Sequence, residues 1–224
     1  MSPPNQGART LRVDAERNRG RIVEAAQAAF AERGLDVPLE DVAAQAGVGI
    51  ATLYRRFPSR DDLIAACFER RLAEYARAAE EALEAPDAWS GFRAYVERIC
   101  AMQAADRGLK DVLTRSFSDA KALEAHRARA YELSVRLIAR VQAEGGLRSD
   151  FVPEDLPLLL MANAGVVQGT GNAAPEAWRR FVGLMLDGFR TENPSPLPPA
   201  PSPRQMMRAM RRLSRSTDST RTRS

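Results

Sequence analysis

Two hydroxyl and three guanidinium side chains fall within one short stretch: Thr52, Tyr54, Arg55, Arg56 and Arg60. Hydroxyls bind phosphate oxygens, and a guanidinium can fork onto a phosphate or onto the O6/N7 edge of guanine. The chemistry this set supports is recognition of a nucleic acid. No comparable set for making or breaking bonds is found. His126 is the only histidine and stands in an Arg/Ala-rich stretch, which argues against a His-rich metal site and against a histidine-based triad. There is no Gly-rich phosphate loop and no serine elbow. Carboxylates recur beside arginines at helical spacing, as Glu124 does with Arg127, and read as solvated faces. The expectation is a protein that is no enzyme and uses no metal or cofactor.

The elements that must position these side chains are legible around them. Leu39, Val42, Ala43 and Ala46 recur at helical spacing and run into Gly47. A second short helix carries Ile50, Leu53 and Phe57 on one stripe, with Thr52, Tyr54, Arg55 and Arg56 on the other face. Two short helices meeting at a glycine turn predict a helix-turn-helix, whose second helix enters the major groove of DNA. Leu53 and Phe57, spaced i, i+4, are expected to pack that helix on Ile22, Phe30 and Val42 and so fix its angle to the groove. An ordinary helical hairpin inside a larger bundle is the plain alternative; it does not account for turn, spacing and exposed cations together.

Positions 46 to 63, AGVGIATLYRRFPSRDDL, resemble the DNA-binding signature of the TetR family of bacterial repressors. The layout is similar over residues 15 to 190. An amphipathic helix precedes the motif and a helical domain follows it, and APEAWRRFVGLMLDGF looks like the last helix of one subgroup. The resemblance implies phosphate contacts by Thr52 and Tyr54, a further backbone contact by Arg60, and base reading by Arg55 or Arg56. Gly49 departs from the serine common at its position, so one phosphate or cap contact is lost or passes to a backbone N–H. Ile50 is ambiguous: periodicity places it in the core, and the resemblance places it at the groove-facing start of the helix. The groove reading, with its methyls on a thymine methyl, is preferred.

The resemblance further implies a repressor released from a palindromic operator by a small-molecule effector. A transcriptional activator and a DNA-independent small-molecule sensor of the same fold are the alternatives. Intact Thr52, Tyr54, Arg55, Arg56 and Arg60 speak against the second.

Composition fits an all-α protein: apolar residues make up 45% and aromatics 6%, and no alternating strand pattern occurs. Residues 1–14, with Pro3, Pro4 and Gly7, are expected to form a disordered arm whose Arg9 and Arg12 could reach a minor groove. A DNA-binding domain is predicted over 15–58, an effector-binding and dimerisation domain over 59–190, and a disordered tail over 191–224. The tail holds seven arginines against Glu192 and Asp218, so it carries the excess positive charge and says little about the fold itself. Met206, Met207, Met210 and Leu213 make a short apolar stripe in it, consistent with a transient helix, although a basic tail that raises nonspecific DNA affinity is the preferred reading. Cys67 and Cys100 sit in apolar stripes and are expected to be buried thiols in a reducing cytoplasm, with the protein on the nucleoid when bound to DNA. No signal peptide and no membrane span are predicted.

A single helix-turn-helix makes too few base contacts for operator specificity, so a homodimer on double-stranded DNA is expected. Its predicted interface is a four-helix bundle made from Leu156, Leu159, Leu160, Ala164 and Val167 against Ala177, Phe181, Leu184, Met185 and Gly188. The effector, expected to be apolar or aromatic, would be lined by Trp89, Phe92, Tyr95, Ile99, Met102, Phe117, Tyr131 and Asn163. For each of these, taken singly, plain core is the preferred reading over a ligand contact.

Overall fold

The computed structural model describes residues 6–114, 121–190 and 195–215. Among them every regular element is a helix: α1 (Gln6–Arg33), α2 (Leu39–Gln45), α3 (Ile50–Arg56), α4 (Arg60–Glu84), α5 (Ala88–Ala105), α6 (Arg107–Thr114), α7 (Lys121–Ala143), α8 (Asp155–Thr170), α9 (Ala177–Phe189) and α10 (Pro203–Arg215). No helix among the described residues is long and apolar enough to cross a membrane.

Local chemistry sets the breaks. The N–H of Gly34 returns to Phe30 O at 2.9 Å, and its φ of 81° turns the chain out of α1. Pro58 ends α3, and Ser59 restarts the chain in a capping box: Ser59 Oγ accepts from the Asp62 N–H at 3.1 Å and the Ser59 N–H donates to Asp62 Oδ2 at 3.1 Å. Asp87 then caps α5 by accepting from the Ser90 N–H at 2.7 Å, and the Ser90 hydroxyl together with that N–H holds its carboxyl below the usual carboxylate range.

The hydrophobic core runs without a break from α1–α3 into the rest of the chain. Phe30 of α1 stacks on Phe68 of α4 with ring centroids 6.3 Å apart. Gly108 of α6 lies against both rings, where an added Cβ would stand 3.1 Å from Phe30 Cβ and closer still to Phe68 Cζ. α5 is central, with α4, α6, α7, α8 and α9 packed around it. Its Phe92 also joins an aromatic chain, at 5.8 Å from Phe151, which lies 4.9 Å from Phe189 of α9.

Cys67 and Cys100 are buried, and burial pushes each thiol up to about 12. Thiolate, the reactive form, is therefore scarce at neutral pH. A disulfide-exchange reagent at pH 8 should consume no thiol in the folded protein and two in denaturant. Fast labelling of either cysteine without denaturant would contradict this packing. Because the folded thiols stay neutral above the ordinary value of 9.0, their contribution to stability is complete below that pH and is lost as pH climbs toward about 12.

Two expectations need correction. α1 begins at Gln6, so residues 6–14 are helical rather than a disordered arm. After Gly7 the segment contains no proline and is rich in helix-permissive Ala, Arg and Leu, which lets α1 extend forward by two turns. The tail is likewise not disordered throughout. Ser202 Oγ accepts from the Gln205 N–H at 3.3 Å, and the Ser202 N–H donates to Gln205 Oε1 at 2.8 Å, a capping box with Pro203 in the first turn of α10. Met206 and Met210 are 5% and 6% exposed, so α10 is docked on the body by its methionine face.

Candidate functional site

The head presents α3 on a fixed support. Leu53 and Phe57 are buried, Arg19 of α1 lies over the Phe57 ring at 5.5 Å, and α2 packs against α3, with Val42 and the C-cap residue Ala46 buried in the same core. At the turn Gly47 has φ 63°, and Val48 N–H donates to Ala43 O at 3.0 Å. A side chain there would be strained by φ and would meet the Arg21 guanidinium, which donates to Gly47 O at 3.4 Å. On the outer face Tyr54, Arg55 and Arg56 are exposed and Thr52 is half-buried. Arg55 Nη2 donates to Thr52 Oγ1 at 3.4 Å, tying those two together, whereas Arg56 extends without a side-chain partner among the described residues. Gly49 offers no side-chain cap to α3. Ile50 is half-buried and packs on the core, so its surface is divided between the two expected roles.

Arg60 stands apart from the others. Its Nη1 donates to Leu35 O at 2.8 Å and to Val37 O at 2.7 Å, binding the start of α4 to the loop before α2. Asp111 Oδ2 of α6 accepts the Leu35 N–H at 3.1 Å from the other side. In this conformation the Arg60 guanidinium is engaged with protein carbonyls rather than held out for a phosphate. Arg60→Ala should lower unfolding free energy by about 1–3 kcal/mol, through two lost charge-assisted bonds and two exposed carbonyls. Chemical denaturation checks this, and an unchanged midpoint would return Arg60 to a purely DNA-facing role.

The body contains a cavity of about 390 Å³ bounded by α4, α6, α7, α8 and α10. Leu72, Leu113, Leu156 and Leu160 give it apolar walls, and Met206, Met207 and Met210 close it from the tail. Its polar groups are Glu124, Arg127, Tyr131, Ser134 and Glu154. Arg127 Nη1 donates to Val112 O at 3.0 Å and Nη2 to Met210 Sδ at 3.6 Å. Burial pulls the Arg127 guanidinium below its ordinary value, with Glu124 acting in the opposite direction. Tyr131 Oη donates to Glu154 Oε1 at 3.3 Å, and desolvation together with that carboxylate raises its phenol, which stays protonated.

Residues 22–67 match the model of the bacterial regulatory proteins, tetR family, and residues 87–191 match the C-terminal domain of SbtR-like transcriptional regulators. A TetR transcription regulatory protein from Mycobacterium vanbaalenii is 31% identical, covering 81% of this chain and 99% of its own, with a TM-score of 0.48. This chain belongs to the TetR family of helix-turn-helix transcriptional regulators. A TetR transcriptional regulator from Streptomyces coelicolor is 30% identical over 77% of this chain and 98% of its own, at a TM-score of 0.49. A TetR-family regulator from Pectobacterium atrosepticum is 25% identical, covering 81% and 98%, at a TM-score of 0.52. An HTH-type transcriptional regulator of Staphylococcus aureus (strain USA300) is 38% identical over 63 residues, so the match spans only 34% of that curated relative and 28% of this regulator.

Of the residues expected to line an effector, the regulator brings only Tyr131 to the cavity. Phe92, Tyr95 and Ile99 are fully buried in α5, Trp89 and Met102 pack partly against the same core, and Phe117 lies outside the described residues. Asn163 is buried as well, donating to Gln103 Oε1 at 2.8 Å. Phe92, Tyr95 and Ile99 lie on the inward stripe of α5, packed against its neighbouring helices, while Arg93, Ala94, Glu97 and Arg98 on its opposite face are exposed; the cavity opens elsewhere, between α4, α6, α7, α8 and α10. Leu156, Leu159 and Leu160 also need correction as interface residues. They are 3–4% exposed because their stripe of α8 faces the core. The outer stripe of α8 is Leu158, Ala162, Gly165 and Gly169, with Ala164 and Val167 half-buried beside it. On α9, Leu184 and Gly188 are exposed and Ala177, Phe181 and Met185 half-buried, while Trp178, Val182 and Leu186 turn inward. Also absent from the expected set are Arg19 and Arg21, exposed on α1 beside the turn and Phe57. Only tertiary packing reveals them.

Proposed function

We propose that this TetR-family regulator is a repressor that binds a palindromic operator as a homodimer and leaves it when a small molecule occupies the body. The observation that carries the reading is α3. Three exposed side chains able to bind phosphate or guanine, Tyr54, Arg55 and Arg56, stand on a helix whose other face is locked by buried Leu53 and Phe57. Thr52 and Tyr54 set the register on the backbone, and Arg56, the least engaged guanidinium, reads a base.

Dimerisation uses the outer stripes of α8 and α9. Leu184 is 57% exposed and Leu158 43%, and the glycines at 165, 169 and 188 have open space around them, so a second copy of the pair could approach closely. Leu184→Glu should give a folded monomer whose operator affinity falls by more than about tenfold, since a lone head loses the second half-site. Sedimentation and a gel-shift titration test this together. A variant that stays dimeric and binds normally would move the interface elsewhere.

The effector acts through α6. Val112 and Leu113 face the cavity, while Asp111 on the same helix holds the Leu35 N–H at the entrance to the helix-turn-helix. A ligand that prefers a shifted α6 would draw the head with it, and its differential affinity for the two positions sets the limit of release.

A further inference from the structure

The cavity contains one charge for which the described residues supply no cation. Glu154 is 7% exposed, and its only side-chain partner among the described residues is the neutral phenol of Tyr131. No cation among the described residues pairs with it. The N-terminus of α8 lies beside it and offers roughly half a positive charge. Glu154 nevertheless makes no side-chain cap bond there. Arg127, the guanidinium in the same cavity, is already hydrogen-bonded to Val112 O and Met210 Sδ, and its charge is stabilised by the Glu124 carboxylate. Among the described residues the lining thus holds two carboxylates against one guanidinium. A buried carboxylate without a cation is costly, and a ligand that brings the missing charge recovers that cost.

The remaining walls suit the rest of such a ligand. Met206, Met207 and Met210 are polarisable and adaptable, and Tyr75 and Tyr131 bring aromatic rings to the lining, able to attract a cation. We propose, building on the effector reading above, that the cavity takes an amphipathic monocation, its apolar body against the methionines of α10 and its charge against Glu154. The tail is then part of the effector site, not an appendage for DNA.

Tetraphenylphosphonium and its near-isosteric anion tetraphenylborate separate charge from size. With the full-length dimer in equilibrium dialysis, the phosphonium should bind at least about tenfold tighter, the discrimination expected when one buried ion pair gains or lacks its partner. Glu154→Gln should bring the two affinities together. Met206→Ala, in the full chain, should weaken both probes and keep their ratio. Equal affinities in the wild type, preference for the borate, no binding of the phosphonium, or a Glu154→Gln variant that keeps the full preference would each overturn the inference. The effector reading is tested apart from it by DNA binding. A protein that selects an inverted repeat but shows no charge preference loses only the present inference, whereas one that selects no duplex loses the regulator reading whichever probe it binds.

Discussion

Arg56→Ala is expected to reduce operator affinity roughly 5- to 150-fold, the equivalent of about 1–3 kcal/mol for one bidentate base contact. The loss should be confined to the cognate sequence, and preference at one base pair of each half-site should relax. Arg56 is singled out because Arg55 is tied to Thr52, and Arg60 to the carbonyls of Leu35 and Val37. Titrations on the cognate duplex and on single-base variants check this. Equal weakening on every duplex, with a shallower salt dependence, would make Arg56 a phosphate contact instead.

The second large effect concerns the joint between head and body. Phe30→Ala should lower unfolding free energy by about 3–5 kcal/mol, because a fully buried ring stacked on Phe68 is removed and Gly108 allows no side chain to fill the gap. Urea denaturation at fixed protein concentration measures it. DNA binding should fail along with stability, since α3 rests on the same core. A loss under about 1.5 kcal/mol would mean the joint is loose and the head moves independently of α6.

The head was nearly all legible in the sequence because its signals are local. Gly47, the stripe Ile50–Leu53–Phe57 and the Ser59–Asp62 box each act within four residues. What the sequence hid was set by tertiary packing. Arg60 is an ordinary exposed cation by pattern, and only the fold brings the carbonyls of Leu35 and Val37 to it. α5 has a good amphipathic stripe with an exposed opposite face, but period alone does not say whether the aromatics of that stripe meet packed core or a cavity. Along α8 apolar and small residues occur all round, and periodicity alone does not tell the core stripe Leu156–Leu159–Leu160 from the outer stripe Leu158–Ala162–Gly165. The tail carries a usable local signal for its helix. Ser202-Pro203-Arg204-Gln205 is a capping box with proline at its first turn, placed directly before the methionine stripe. Its prolines and arginines suggested disorder more strongly than the box suggested a helix.

The measurement that bears most directly on the central claim is selection of binding sites from a random duplex library with the purified full-length protein. An inverted repeat should be enriched, its half-sites spaced for two α3 helices on one face of the duplex, about one helical turn or a multiple apart. Enrichment of no sequence by a folded, effector-free dimer would contradict it.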